Sequence, residues 1–362
     1  MIKFLTNSVA KKYRGKTCLL RIDLNIEPGA PLDSYRLEAI IPTIKLLLKN
    51  KIKMVILSHR GRPAFAKASA GKPKGSDRRL SLRPFARVSC MKLGRKVDFV
   101  SNFDFGKIKS TIEKSKPGSI LLLENLRFLS GEEKNDAKLA KQLASLGDFY
   151  VNDAFAVSHR KNASLVAITK YLPSYGGLLM EKEIKNLGGI LKYPTHPFII
   201  VLGGAKIKEK IFDLRKVIQK ADDVLLGSNA FNEFGIPGSS KITWPEDGKK
   251  HEKFIWDIGP FTIGYYASVI GKSKTIIWNG PTGFFEKKGF EKGTIGIWKA
   301  VLKNRKAHIV IGGGETVASA KLISNFEFRI SNLRNVCIST GGGAMLDYLS
   351  GKKLPGIEAL KR

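Results

Sequence analysis

The chain has 362 residues, with 63 Lys+Arg against 31 Asp+Glu, a formal net charge of +32 and a pI near 10.0. At about 150 residues per domain this length predicts two domains, and 43% hydrophobic with 26% charged residues excludes a mainly disordered chain. No apolar run approaches the roughly 20 residues of a bilayer span, the opening MIKFLTNSVAKKYR is too short in apolar residues for a secretory segment, and Cys18, Cys90 and Cys337 are too scattered for a disulfide framework or metal cluster.

A cytoplasmic protein is therefore expected, with no membrane partner. The positive charge is uneven: residues 51–100 hold 14 Lys+Arg against 2 Asp+Glu. That block has few aromatics (Phe65, Phe85, Phe99) and no nucleic-acid module, so no nucleic-acid partner is expected, and residues 51–100 would be its only footprint. Within it, 63–79 (PAFAKASAGKPKGSDRR) lacks apolar periodicity and reads as a solvated surface loop.

In chain order, strand-like runs fall at 17–23, 54–59, 97–100, 119–124 and 149–152, then at 198–202, 223–226, 275–278, 308–311 and 336–339. Helix-period segments lie between them, as at 36–49, 137–146 and 208–219. This alternation predicts the α/β class, with doubly wound parallel sheets covered on both faces. Ten strands are many for one open sheet, and the predicted junction is 173–177 (PSYGG), followed by a connector helix over 178–191.

Ligands of open parallel sheets bind beyond the carboxyl ends of the strands, and the two halves differ there. In the first half these positions carry Arg21, Asp23 and Asn25, then His59, Arg60, Gly61 and Arg62, then Arg127, then His159 and Arg160, with Arg36 opening the next helix. A single such arginine is most simply a surface ion pair. Several on one rim suit a small polyanion, because the guanidinium fork binds carboxylate and phosphate bidentately.

In the second half the strand ends carry glycine: Gly203 and Gly204 before Lys206, Asn279-Gly280-Pro281, Gly312, Gly313 and Gly314 before Glu315 and Thr316, and 341–343 with Gly342 at the centre. One such turn is ordinarily just a turn. Four of them point to phosphate held by backbone N–H groups. There is no Walker A motif, since Tyr266 stands where the run ending in Gly271-Lys272-Ser273 needs glycine, and no GxGxxG opens a nucleotide unit. An acid-binding half and a phosphate-binding half imply phosphoryl transfer across a closing cleft, by positioning and charge neutralisation. A carboxylate acceptor is already ionised at neutral pH and needs no general base.

These residues carry a family resemblance. RIDLN (21–25), SHRGRP (58–63), LLLENLRF (121–128), GEEKND (131–136), VNDAFAVSHR (151–160), LGGAKIKEKI (202–211), DIGPFT (257–262), WNGPTGFFE (278–286), GGGET (312–316) and STGGGAMLDYLSGKKLPGIEAL (339–360) follow the order of the phosphoglycerate kinases. The chain resembles that family over nearly its whole length. The resemblance implies reversible transfer between 1,3-bisphosphoglycerate with Mg-ADP and 3-phosphoglycerate with Mg-ATP, in glycolysis, by a monomer that closes on a hinge.

It implies two Rossmann-like domains: 1–175 for phosphoglycerate, 176–192 as connector, 193–345 for nucleotide and shortened near 227–256, and 346–362 returning to the first. It assigns Asp23, Asn25, Arg36, His59, Arg60, Gly61, Arg62, Arg127 and Arg160 to phosphoglycerate. To nucleotide it assigns Gly203, Lys206, Lys210, Asn279, Pro281, Glu286, Gly312, Gly313, Gly314, Glu315 and Thr316. Arg36, Lys206, Gly314 and Gly342 would be catalytic, and Glu315 would hold Mg²⁺.

The chain departs from the family at three places. Glu315 stands where the family has Asp, which moves the carboxylate relative to a geometrically demanding ion. The glycine-rich turn reads Gly227-Ser228-Asn229, and roughly 40 residues that normally follow are compressed into 235–255. Ile255 and Trp256 replace a Gly-Leu pair beside the nucleotide. All three lie in the nucleotide half, which leaves as alternative an impaired homologue that binds the acid but not adenine nucleotide productively.

Overall fold

The computed structural model describes residues 1–26, 35–61, 78–233, 235–236, 238–325 and 333–361. Arg62 and all but the end of the 63–79 loop lie outside them. The chain divides into two compact units, Met1–Lys182 with Lys353–Arg362, and Glu183–Lys352.

The first unit is built on six parallel strands: β1 (Thr17–Arg21), β2 (Lys53–Leu57), β3 (Val97–Val100), β4 (Ile120–Leu123), β5 (Phe149–Asn152) and β6 (Ser174–Gly176), in the order β3-β4-β2-β1-β5-β6. β1, β4 and β5 are buried at every position, as strands covered on both faces should be. Their period of two splits the core. Cys18 and Leu20 of β1 point into one cluster with Ile40, Ile44 and Phe85. Leu19 between them enters the other, with Leu139, Leu143 and Ile168. The carboxyl-terminal segment belongs to this unit: Gly356 donates its N–H to the Ser158 carbonyl at 2.8 Å, and Leu360 is buried in the second cluster.

The second unit has another six-stranded parallel sheet, from β7 (Phe198–Leu202), β8 (Asp223–Leu226), β9 (Ile242–Thr243), β12 (Thr275–Asn279), β13 (His308–Gly312) and β14 (Val336–Ile338), in the order β14-β13-β12-β7-β8-β9. One face carries Ile199, Val201, Ile276, Trp278, Ile309 and Ile311 onto Trp298 of the helix Lys292–Lys303. Trp278 and Trp298 meet at 4.6 Å and 64°. β10 (Gly248–His251) and β11 (Phe254–Ile258) form a separate antiparallel hairpin.

The doubly wound α/β expectation holds for both sheets, and all ten expected strands are present within two residues at each end. The short strands β6 and β9 and the hairpin were not expected. Its turn carries no Asn-Gly or Asp-Gly pair, the Asp247-Gly248 pair standing at the outer end of β10, and is closed by Glu252 at φ 52°. In each sheet the order reverses beside the central strand, between β1 and β5 in the first and between β7 and β12 in the second. A crevice opens at such a point beyond the carboxyl ends.

Candidate functional site

At the first switch point the cationic and polar residues converge. Asp23, just past β1, is 6% exposed; its Oδ2 pairs with the Arg36 guanidinium, and its Oδ1 accepts the Asn25 N–H at 2.9 Å and lies 3.9 Å from Nε2 of His59. Asn25 in turn takes the Gly61 N–H on its Oδ1 at 2.7 Å. Gly61 sits at φ 58°, where a side chain would be strained, and its carbonyl accepts from the Arg127 guanidinium. Glu133 lies 3.5 Å from Arg127 and 4.0 Å from Arg160. Asp23, Asn25, Arg36, His59, Gly61, Arg127 and Arg160 thus form one linked group.

Burial first, then the nearby charges of Arg21, Arg127, Arg160 and Arg36, hold His59 well below the usual imidazole range. The ring is neutral at pH 7, and its Nε2 is a buried polar atom with no hydrogen-bond partner among the described residues. Two members differ from the rest. Arg60 spends its guanidinium on the fold, donating Nε–H to the Ile26 carbonyl at 2.7 Å and stacking 5.4 Å from the Phe85 ring. Arg62 lies outside the described residues.

Sequence reasoning undervalued the residues that hold these groups. Arg21 is fully buried, donating to Ser164 at 2.9 Å and lying 3.2 Å from Nδ1 of His59. Glu132, also fully buried, binds Ser164 Oγ at 2.6 Å and Asn162 at 3.2 Å. Asn125 accepts the N–H groups of Arg60 and Arg127 at 3.2 and 3.1 Å and donates to the Arg60 carbonyl at 2.7 Å. Buried polar groups with all their bonds made fix geometry, and this set fixes the two loops that carry His59, Gly61 and Arg127.

At the second switch point two turns interlock. Gly203 N–H donates to the Asn279 carbonyl at 3.0 Å and Gly204 N–H to the Pro281 carbonyl at 2.7 Å. A Cβ on Gly203 would stand 2.0 Å from the Pro281 oxygen, and one on Gly280, at φ 95°, 1.9 Å from the Gly203 oxygen. Thr316 Oγ accepts the Gly280 N–H at 2.7 Å, which ties the third glycine turn to the other two. Beside them opens a cavity of about 540 Å³, whose lining includes Gly204, Ser228, Pro281, Glu286 and Glu315 together with the aromatic rings of Phe254, Trp256 and Phe284.

Lys206 stands at φ 61° just before the helix Ile207–Ile218, with its ammonium 3.3 Å from Glu209. Lys210, one turn on, donates to the Gly203 carbonyl at 2.7 Å; burial lowers its pKa, opposed by the charges of Glu315 and Glu233. Gly312, Gly313 and Gly314 lead from β13 into a short helix, Gly314–Ala318. Gly342 opens the helix Gly342–Leu349 at φ 40°. Cβ atoms on Gly314, Gly342 or Gly343 would meet nothing within 4 Å, so these turns present bare backbone to open space. Trp256 was expected beside the nucleotide, but Phe254, Phe284 and Glu233, which caps the 207–218 helix by accepting the Ile207 and Lys208 N–H groups at 3.0 and 2.9 Å, were not anticipated. Glu233 and Phe254 come from the shortened stretch, where no periodic signal survives, and Phe284 from the 278–286 motif.

The chain matches the family model for phosphoglycerate kinase over residues 9–242 and 233–352. It is 36% identical over 399 residues to the phosphoglycerate kinase of Wolbachia sp. subsp. Drosophila simulans, covering 96% of each chain. To that of Macrococcus caseolyticus it is 35% identical over 398 residues, covering 96% and 97%. Among solved structures it is similar to phosphoglycerate kinase from Pyrococcus horikoshii OT3, with a TM-score of 0.80, 29% identity and 96% of each chain covered. It is also similar to that from Coxiella burnetii, with a TM-score of 0.73, 29% identity and coverage of 96% and 97%.

Proposed function

The chain belongs to the phosphoglycerate kinase family, and from that premise we propose which of its residues carry phosphoryl transfer between a nucleotide and the carboxylate of 3-phosphoglycerate. The acid binds at the first switch point. Arg127, Arg160, His59 and Arg62 hold the anion, and Asp23 and Asn25 take its hydroxyl. His59 meets it as a neutral ring whose Nδ1 accepts from the Arg21 guanidinium, which leaves the proton on Nε2 to donate to the anion. Arg36, whose side chain is 29% exposed against 26% for Arg160 and 2% for Arg127, neutralises the phosphoryl group as it moves. Arg60 and Gly61 shape the loop.

The nucleotide binds at the second switch point. Gly203, Lys206, Lys210, Gly312, Gly313, Gly314 and Gly342 bind the phosphates, Glu286 takes the ribose, and Asn279, Pro281 and Thr316 hold the turns in place. The observation that carries this reading is the linked cluster of Asp23, Arg36, His59 and Arg127, whose electrostatics suit a small phosphorylated acid.

Mg²⁺ fits one residue here: Glu315 borders the cavity, and no group of three or more acidic, His or Cys side chains gathers among the described residues. A single carboxylate with phosphate and water oxygens is how Mg²⁺ is ordinarily held. When bound, the ion would neutralise phosphate charge. The protein's own contribution is to bind, align and screen, so transfer requires the two ligands to meet by closure of the units, as a monomer, in the cytoplasm. No helix among the described residues is long and apolar enough to cross a membrane.

The departures leave a carboxylate at 315 and a walled cavity, and nothing favours the impaired alternative. A coupled assay of the purified chain with 3-phosphoglycerate and Mg-ATP tests the assignment. Turnover is expected, with kcat lowered about 100-fold or more by Arg36→Ala. Equal turnover by that variant would remove Arg36 from the mechanism, and no turnover by the wild type would reinstate the impaired alternative.

A further inference from the structure

Behind His59 lies a chain of buried polar side chains to which no part in phosphoryl transfer has been given. Arg21, Glu132, Ser164 and Tyr150 are fully buried, and Ser164 stands at their centre. Its Oγ accepts the Arg21 Nε–H at 2.9 Å and donates to Oε1 of Glu132 at 2.6 Å. Its N–H donates to Oε2 of Glu132 at 3.0 Å, and its carbonyl accepts the Tyr150 hydroxyl at 2.7 Å. A buried guanidinium without counter-charge is costly; Glu132 supplies that charge, with Oε1 3.9 Å from Nη2 of Arg21. Arg21 is thus held at Nε by Ser164 and at Nη1 by the Ile22 carbonyl. Its Nη2 is left facing Nδ1 of His59 at 3.2 Å.

This arrangement decides the polarity of the imidazole. A guanidinium carries donors and no acceptor, so Nδ1 must present its lone pair and the ring proton must sit on Nε2. A second proton on Nδ1 would set one N–H against another. Burial opposes that charge, and so do Arg21 on β1, Arg127, Arg160, and Arg36 on the helix Tyr35–Lys49. Asp23 also faces the ring, but its Oδ1 lies 3.9 Å from Nε2, beyond hydrogen-bond reach. That oxygen already accepts the Asn25 N–H, while Oδ2 pairs with Arg36. Nε2 is left buried with no hydrogen-bond partner among the described residues. A histidine free to change tautomer could turn either a donor or a lone pair toward an anion; this one turns a donor.

We propose that Glu132 and Ser164 are positioning residues of the acid site, which act through Arg21 to lock His59 as an Nε2–H donor. The proposal rests on the reading above that the acid binds against His59. A hydrogen bond to a charged acceptor is worth roughly 10- to 100-fold in affinity, and a lone pair turned toward the anion would forfeit it.

Nitrogen-15 magnetic resonance of the full chain, labelled at its five histidines, tests this, with His59 assigned by the signals missing from His59→Gln. In the wild type at pH 6, where an ordinary histidine is mostly protonated, His59 should be neutral with its proton on Nε2. In Glu132→Gln and Ser164→Ala its two ring nitrogens should move toward the averaged shifts of exchanging tautomers. KM for 3-phosphoglycerate should rise about tenfold in both, with kcat nearly unchanged. Ser164→Ala deletes a single hydroxyl and serves as the test should Glu132→Gln fail to fold. A wild-type proton on Nδ1, a charged wild-type ring at pH 6, or wild-type His59 signals in Ser164→Ala would each overturn the proposal. Should the spectra follow expectation while saturating 3-phosphoglycerate leaves the wild-type His59 signals unmoved, the placing of the acid against His59 falls and the lock on the ring stands.

Discussion

Asp153 and His59 are buried titratable groups of the first unit whose shifts act on stability with opposite sign in the acid range. Burial raises the Asp153 carboxyl to about 6, against weaker lowering by Thr43 and by the N–H groups of Met180 and Leu179; Oδ1 accepts the Met180 N–H at 3.0 Å, and Oδ2 has no hydrogen-bond partner among the described residues. An unfolded Asp titrates near 3.9, so between about pH 4 and 6 the folded state keeps a proton that the unfolded state has lost. Stability from this residue is therefore present below pH 4 and falls as pH rises to 6, by about 2–3 kcal/mol. Asp153→Asn keeps the Met180 contact and removes the titration. Urea midpoints at pH 4.5 and 7.5 should show the variant gaining on the wild type at the higher pH, and equal gains at both would refute this. His59 has the reverse sign: its folded pKa lies below that of the unfolded ring, so its contribution is complete above about pH 6.5 and is lost as pH falls. Neither effect could be read from the sequence, because a VND or SHR motif names the residue types but not the surrounding burial. Arg60 makes the same point. It looks like a fifth anion ligand in SHRGR, but three-dimensional placement gives it to Ile26 and Phe85.

Between strand and helix, the glycine turns separate into two kinds that sequence alone cannot tell apart. Gly203 and Gly280 are glycine because two backbones touch; Gly314 and Gly343 face empty space. Gly280→Ala adds a Cβ against the Gly203 oxygen at a positive φ, and should destabilise by roughly 3 kcal/mol or more. Gly314→Ala should leave thermal stability nearly unchanged while raising the nucleotide KM or lowering kcat, because its methyl would project where phosphate is proposed to lie. Parallel melting and kinetic measurements distinguish the two classes; a Gly314→Ala protein with wild-type kinetics would remove that turn from the phosphate site. The regular elements were legible because buried parallel strands read as continuous Val, Ile and Leu runs, as in FIIVL and ILLL. The β10–β11 hairpin was not, since GKKH is exposed along most of its length and its turn uses Glu252 in place of glycine. Phe254, which borders the cavity from that hairpin, was lost with it.

Over the whole molecule, a net charge of +32 can act on anionic ligands in two ways that the fold separates. In the proposed assignment Arg36, Arg127 and Arg160 act at contact, within the linked group around Asp23 and Glu133. The far larger surplus lies in lysines such as Lys11, Lys12, Lys107, Lys161, Lys287 and Lys292, which are dispersed and solvated. Dispersed charge adds little to bound affinity, because each exposed cation beyond about 8–10 Å is screened at physiological salt, but summed it raises the local concentration of anions and hence the encounter rate. Salt should accordingly reduce capture more than retention. In stopped-flow binding of 3-phosphoglycerate, raising ionic strength from about 0.01 to 0.15 M, which shortens the screening length from about 30 to 8 Å, should lower the association rate several-fold and leave the dissociation rate within about twofold. A dissociation rate that carries most of the change would place the electrostatic work in the arginine cluster and leave the dispersed lysines without a part in substrate capture.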